Sequence, residues 1–239
     1  MFSQLTCLIF NYNTPDLVCF LLRSLHKSIP DFDGNIIIWD NSSYNSMPKE
    51  IIKYLPNIEI LDNTHENLVN YNNDIFQKNI VRKDAGCEIN NFGSAKHCYC
   101  INEAIKKYVK TKYVLLLDSD VLIKKNFVDL FIHMQVNEYS AYGLLHNDLR
   151  GKRFHPCFTF IDLEKIQLIN FYNKDFMLGL NSCKIKYDTG CWFYETLLKN
   201  KHKIDTFSLQ NDYFIHAEGL SWDKNKNKHY ITKYIQYWK

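Results

Sequence analysis

The chain has 239 residues, 46% of them hydrophobic and 15% aromatic, a balance that excludes a disordered chain and supports a folded core without disulfides. Its net charge of +3 is too small for a dedicated nucleic-acid binder, so no nucleic-acid partner is expected. Eight cysteines form no Cys-x-x-Cys pair and several fall within apolar patterns, which reads as buried reduced thiols. The start "MFSQLTCLIFNYN" lacks a basic segment followed by an apolar core and cleavage site, and no run of about 20 apolar residues occurs. A cytoplasmic chain is therefore expected, free or at the cytoplasmic membrane face.

"LTCLIF" reads as a buried strand that breaks at Asn11-Tyr12-Asn13. Thr14, Pro15 and Asp16 then open a helix, with Thr14 as cap and Pro15 in the first turn, and Val18, Leu21, Leu22 and Leu25 follow at helical spacing. A second apolar run, Ile36 to Trp39, ends at Asp40-Asn41-Ser42, and a third, "NIEIL", ends at Asp62-Asn63. From Glu66 to Asn90 the sequence is polar, Asn-rich and aperiodic, the pattern of a flap or insertion. "NFGSAKHCYCINEAIKKYV" supplies Gly93, a Ser94 cap, and Cys98, Ile101, Ile105 and Tyr108 on one helical face.

The strand "YVLLLDSDVLI" follows, and beyond Asn126 come a helix to about Val136, a strand at "YSAYGLL" and a basic loop "HNDLRGKRFHP" carrying Arg150, Lys152 and Arg153. The remaining pieces, "CFTFIDLEKIQLI", "DTGCWFYETLLKN" and "YFIHAEG", alternate strand-like and helix-like patterns. This order predicts an α/β fold, a mostly parallel sheet flanked by helices, in one domain spanning residues 1–239.

Asp118 and Asp120 stand where one of the most apolar runs ends, although an unpaired charge in an apolar interior costs several kcal/mol. In open α/β sheets ligands bind in the crevice beyond the carboxyl ends of the strands, so these side chains leave the core where a ligand can meet them. Residues two apart on an extended chain share a side, so the pair can face one cation or one polyphosphate. Mg²⁺ or Mn²⁺ takes oxygen ligands and is commonly held by one or two carboxylates, with phosphates and water completing its shell. Asp120 is the candidate for direct coordination; capping of the next helix is the structural alternative for both.

Together these stretches resemble the GT-A nucleotide-sugar glycosyltransferases, especially their family-2-like group. The resemblance rests on the Tyr-Asn strand end and Pro-containing helix start of "IFNYNTPDLV", the Asp-Asn-Ser of "IIIWDNSS", and the Asn-x-Gly of "NFGSAKHCYCIN" ahead of "LLLDSD". It covers residues 4–127 in order and spacing, and "YDTGCWFYE" and "FIHAEG" more loosely. The segment 66–90 departs from the pattern, and Asp-Thr-Gly stands where many members carry Glu-Asp.

The resemblance implies a GT-A, Rossmann-like fold with a nucleotide-binding half, 1–127, and an acceptor-binding half, 128–239. It implies a metal-dependent hexosyltransferase, with Mn²⁺ or Mg²⁺ as cofactor, a nucleotide sugar (first a UDP-sugar) as donor, and a glycan or glycoconjugate hydroxyl as acceptor. Asp118 would serve the ribose or the metal, Asp40 the nucleobase, and His216 the metal; an Asx turn and a core histidine are the alternatives for the last two. Asn11, Asn13, Asn91 and Gly93 would surround the nucleoside, or simply form turns. Inversion needs a carboxylate base near the acceptor, for which Asp188 is the candidate, with helix capping as its alternative.

The carboxyl-terminal "WDKNKNKHYITKYIQYWK" suits peripheral contact with an anionic membrane as well as packing on its own domain. A sugar-phosphate nucleotidyltransferase and a catalytically silent nucleotide-sugar binding protein are the competing functions.

Overall fold

The computed structural model describes residues 1–44, 46–47, 57–69, 92–148, 151–166, 170–172, 188–208, 210–217, 220, 229 and 232. Asn91, Arg150, most of the expected flap and all but two residues of the carboxyl-terminal segment 222–239 lie outside them.

The elements are β1 (Leu5–Asn11), α1 (Pro15–Ser28), β2 (Asn35–Asp40), β3 (Ile58–Asp62), α2 (Phe92–Lys107), β4 (Tyr113–Asp118) and β5 (Val121–Ile123). They continue with α3 (Val128–Val136), β6 (Ala141–Asp148), β7 (Gly151–Asp162), α4 (Cys191–Lys199), β8 (Ile204–Phe207), α5 (Gln210–Tyr213) and β9 (Phe214–His216). Seven strands form one sheet in the order β3-β2-β1-β4-β7-β6-β8. Only β7 runs against its neighbours, so the expected mostly parallel α/β sheet is present. The sheet crosses the expected division at residue 127, because β4 pairs directly with β7.

The strands read as continuous apolar runs because both faces are covered. Alternate residues feed two cores: Cys7, Ile9, Leu115 and Leu117 pack with Val18, Leu21 and Leu25 of α1 and Phe131 of α3. Leu8, Val114 and Leu116 pack with Cys98, Ile101 and Ile105 of α2 and Phe193 of α4. The described cysteines are free, and all but Cys19 are buried. No helix among the described residues is long and apolar enough to cross a membrane.

Parallel register turns the polar strand ends into a site. Asn11 pairs with Asp40, Asp40 with Asp62, and Phe10 with Asp118, so these ends share one edge of the sheet. The chain first builds outward from β1 through β2 to β3, then returns to place β4 on β1's other side. That reversal opens the crevice where α/β sheets bind ligands.

The stretch expected as a basic loop is instead the β6–β7 hairpin, and Arg153 is wholly buried in it. The hairpin register jumps between the pairs Gly143–Thr159 and Leu145–Phe154, so β7 bulges over His155–Phe158. Pro156, which has no N–H for the ladder, sits within the bulge. The Thr159 hydroxyl secures it by donating to the His155 carbonyl at 2.7 Å.

Candidate functional site

At the end of β1, Asn11 is fully buried. Its amide donates to Asp40 Oδ1 and to Ser42 Oγ, each at 2.9 Å, while its Oδ1 accepts the Thr14 N–H at 3.0 Å. Thr14 stands at the cap position of α1 as expected but makes no side-chain cap bond, and Asn11 holds its N–H. The Thr14 hydroxyl lies 3.1 Å from Ser119 Oγ and so ties the β1 end to the turn that follows β4, between Asp118 and Asp120.

Asp40 is equally enclosed. Oδ1 also accepts the Ser42 N–H at 3.2 Å, an Asx-turn contact, and Oδ2 accepts the Met47 N–H at 2.6 Å. Asn13, at φ 59°, takes the N–H groups of Ser43 and Tyr44 on Oδ1, each at 3.0 Å. These three residues lock the β1 and β2 ends together.

Asp40→Ala is expected to lower stability by about 3–4 kcal/mol, since a buried donor left unpaired costs about 1–3 kcal/mol and three would lose their acceptor. Thermal denaturation should show a fall of roughly 10 °C, with Asp40→Asn losing less. An unchanged melting temperature in Asp40→Ala would contradict this structural role.

Asp118 closes β4, Ser119 and Asp120 turn the chain, and β5 begins at once. Val121 pairs with His216, and the Ala217 N–H donates to the Asp120 carbonyl at 3.1 Å, so β9 lays His216 against both aspartates. His216 Nε2 stands 3.2 Å from Asp120 Oδ1 and 3.6 Å from Asp118 Oδ2. Asp120 is buried, with Oδ2 accepting the Leu220 N–H at 3.4 Å, whereas the Asp118 side chain keeps 20% exposure and opens to solvent.

Burial raises the Asp118 carboxyl, His216 opposes the rise, and the nearby Asp120 and Asp188 charges add to it, leaving it at about 7. Burial disfavours the His216 imidazolium, but the hydrogen-bonded Asp120 carboxylate outweighs that and raises its pKa. The ligand atoms of Asp118, Asp120 and His216 lie within 4.8 Å of one another. Two carboxylates and an imidazole are donors that suit Mn²⁺, and a divalent charge would relieve the crowding of the carboxylates.

A third carboxylate joins this crevice. Asp188 Oδ1 accepts the Ser94 hydroxyl and the Thr189 N–H, each at 2.8 Å, and Oδ2 faces Arg153 Nη2 at 3.6 Å. Arg153 is held in turn by a bidentate pair with Asp148, at 2.8 and 3.1 Å. The cap position of α4 is Gly190, with no side-chain cap, so Asp188 does not serve as the helix cap.

Ser94 is likewise no cap: α2 begins at Phe92 and the hydroxyl reaches across to Asp188. Gly93 lies beside it in the same first turn. His97, one turn further along α2, rests edge-on against Phe10, and burial pulls its pKa down to about 4 against the field of Asp188.

Gly190 shapes this corner. It sits at φ +94°, and an added Cβ would overlap the Phe154 carbonyl oxygen of β7. Gly190→Ala is expected to cost about 3 kcal/mol through left-handed strain and displacement of β7 from Asp188. A melting temperature within a degree of the parent would contradict that contact.

The structure thus gathers Asp118, Asp120, His216 and Asp188 in one crevice and turns Asn11, Asn13 and Asp40 into its scaffold. Sequence reading missed His97 and His155. His155 Nδ1 stands 3.8 Å from Asp118 Oδ2, and its two-residue spacing from Cys157 on a strand was the available signal.

No protein-family model matches the chain, and no curated protein matches it. Solved structures do. The mannosyltransferase Ktr4p from S. cerevisiae is similar over 98% of this chain and 81% of its own, at 12% identity and a TM-score of 0.59. Core-mannan synthase A from Aspergillus fumigatus, in an Mn/GDP form, is similar over 89% and 74%, at 11% identity and a TM-score of 0.58. The galactosyltransferase LgtC, in complex with donor and acceptor sugar analogues, is similar over 84% and 72%, at 13% identity and a TM-score of 0.54. At such identities the likeness speaks to architecture, and together with the sheet order and the shared edge of strand ends it gives this chain the GT-A fold of these glycosyltransferases.

Proposed function

We propose that the chain is a metal-dependent glycosyltransferase that moves a hexose-type unit from a nucleoside-diphosphate sugar to a hydroxyl of a glycan or glycoconjugate, with inversion. The observation that carries this reading is the facing set of Asp118, Asp120 and His216 at the carboxyl end of β4, beside the reversal point of the sheet. A departing nucleoside diphosphate develops negative charge, and stabilising that charge is the main task of the catalyst. A bound Mn²⁺ or Mg²⁺ would supply the neutralising charge.

The chain's own residues do the rest. Asp118, Asp120 and His216 would hold the cation, and the more open Asp118 would also serve a ribose. Asn11, Asn13 and Asp40 act on the nucleoside by shaping the floor beneath it, where the ring of Tyr12, 41% exposed, offers a stacking face. Gly93 leaves the start of α2 unobstructed. Asp188 receives the proton of the acceptor hydroxyl, while Ser94, Thr189 and the buried Arg153 fix its orientation.

A UDP-sugar is the first donor to try and a GDP-sugar the second, since the core-mannan synthase A structure holds GDP with Mn. A panel of both, each with Mn²⁺ or with EDTA and with simple glycosides as acceptors, tests the proposal. Release of nucleoside diphosphate and a product heavier by one sugar are expected with Mn²⁺ alone. Pyrophosphate from a nucleoside triphosphate would favour the nucleotidyltransferase, and binding without turnover on any acceptor the silent binding protein.

A further inference from the structure

We infer that His155, Cys157 and His216 form a second metal site, one that takes Zn²⁺ and excludes a cation from the Asp118–Asp120–His216 set because His216 belongs to both. The ligand atoms of the three residues lie within 4.8 Å of one another. The β7 bulge creates the arrangement. His155 and Cys157 flank Pro156, and His155 Nδ1 accepts the Cys157 N–H at 3.2 Å, a bond that gives way when the imidazole turns its lone pair to a metal.

The His155 ring lies 4.8 Å from that of His216 on one side and 4.4 Å from that of His146 on the other. Asp118 Oδ2 lies beside the set, 3.8 Å from His155 Nδ1 and 3.6 Å from His216 Nε2. Tetrahedral Zn²⁺ with bonds of about 2.0–2.3 Å sets its ligand atoms about 3.3–3.6 Å apart, so the three side chains must draw in from separations of up to 4.8 Å, and water takes the fourth position.

The two sets differ in chemistry as well as position. Carboxylates suit Mn²⁺ and Mg²⁺, whereas a thiolate with two imidazoles selects Zn²⁺. Cys157 is fully buried and enters as a thiol. Binding breaks the S–H bond of Cys157 and an N–H bond of the His216 imidazolium, forms Zn–S and Zn–N bonds and sends both protons to solvent. A neutral imidazole has one lone pair to give, so His216 serves one ion at a time. The consequence is inhibition by zinc of a manganese-activated protein; that part rests on the proposed function, whereas the zinc site itself does not.

Cobalt(II), which takes zinc sites and reports a thiolate ligand by a near-ultraviolet charge-transfer band, is the probe. The full chain with Co²⁺ is expected to show the band, one equivalent of Zn²⁺ to abolish it, and Cys157→Ser and Cys157→Ala to lack it at a melting temperature close to the parent's. His155→Gln, which leaves the buried cysteine in place, should weaken cobalt binding at least about 10-fold. Paramagnetic resonance of free Mn²⁺ reads the competition without any turnover: added Zn²⁺ should release bound Mn²⁺ from the parent and at least about 10-fold less readily from Cys157→Ser.

A folded parent without the band, or a band that persists in both cysteine variants, would overturn the zinc site. Zinc and manganese bound together would overturn the sharing of His216. A band in a protein that takes up no Mn²⁺ would support the zinc site while contradicting the proposed function.

Discussion

Asp120→Asn is expected to abolish the stabilisation that Mn²⁺ adds to nucleoside-diphosphate binding and to lower sugar transfer by at least about 10²-fold. In the parent, ligand at 100 times its dissociation constant adds about 2.7 kcal/mol, roughly 5–11 °C in melting temperature for a chain of this size. Asn preserves the side chain's shape and leaves an oxygen for the Leu220 N–H, but it removes the charge that faces His216 Nε2 at 3.2 Å. Asp120→Ala is the poorer probe because it also strips that N–H of its acceptor, mixing stability with metal binding. Thermal melts with nucleotide, with and without Mn²⁺, give the answer. A full Mn²⁺ increment in folded Asp120→Asn would remove Asp120 from the metal set.

For Asp188→Asn we expect unchanged nucleotide affinity and a transfer rate lower by about 10²–10⁴-fold. The amide oxygen can still accept from Ser94 and Thr189, so the corner between α2 and α4 keeps its shape while the basic oxygen is lost. A residue that merely held this corner would move melting temperature and affinity together with rate. Product NMR should show the anomeric configuration inverted relative to the donor. Near-normal turnover, or retained configuration, would contradict the base role.

Much of the fold was legible because its signals are local. The runs ending at Asn11, Asp40 and Asp118 are apolar throughout, as strands covered on both faces must be, and strand–helix alternation gave their parallel pairing. Strand alternation predicted that Asp118 and Asp120 share a side, and they do meet at His216, but through the turn at Ser119 and Asp120 rather than along an extended strand. The reversed direction of β7 was not, since apolar alternation carries no information about strand polarity.

Other features depend on partners distant in sequence or across a turn. Ser94 looks like a cap until Asp188, from the far side of the crevice, takes its hydroxyl. Arg153 reads as a loop cation until the hairpin sets it against Asp148 and buries it. A polar residue at a strand end fits a ligand contact or a turn equally well. For Asp40, the enclosing bonds from Asn11, Ser42 and Met47 show how closely it is built into the scaffold.

The most direct measurement of the central claim is a calorimetric titration of UDP and of GDP into the full chain, in Mn²⁺ and again in EDTA. The account predicts that one of these nucleotides binds at a single site with Mn²⁺ and at least about 10-fold more weakly in EDTA, a difference of about 1.4 kcal/mol. Equal affinity for the bound nucleotide in Mn²⁺ and EDTA, or no binding of either nucleotide under both conditions, would contradict it.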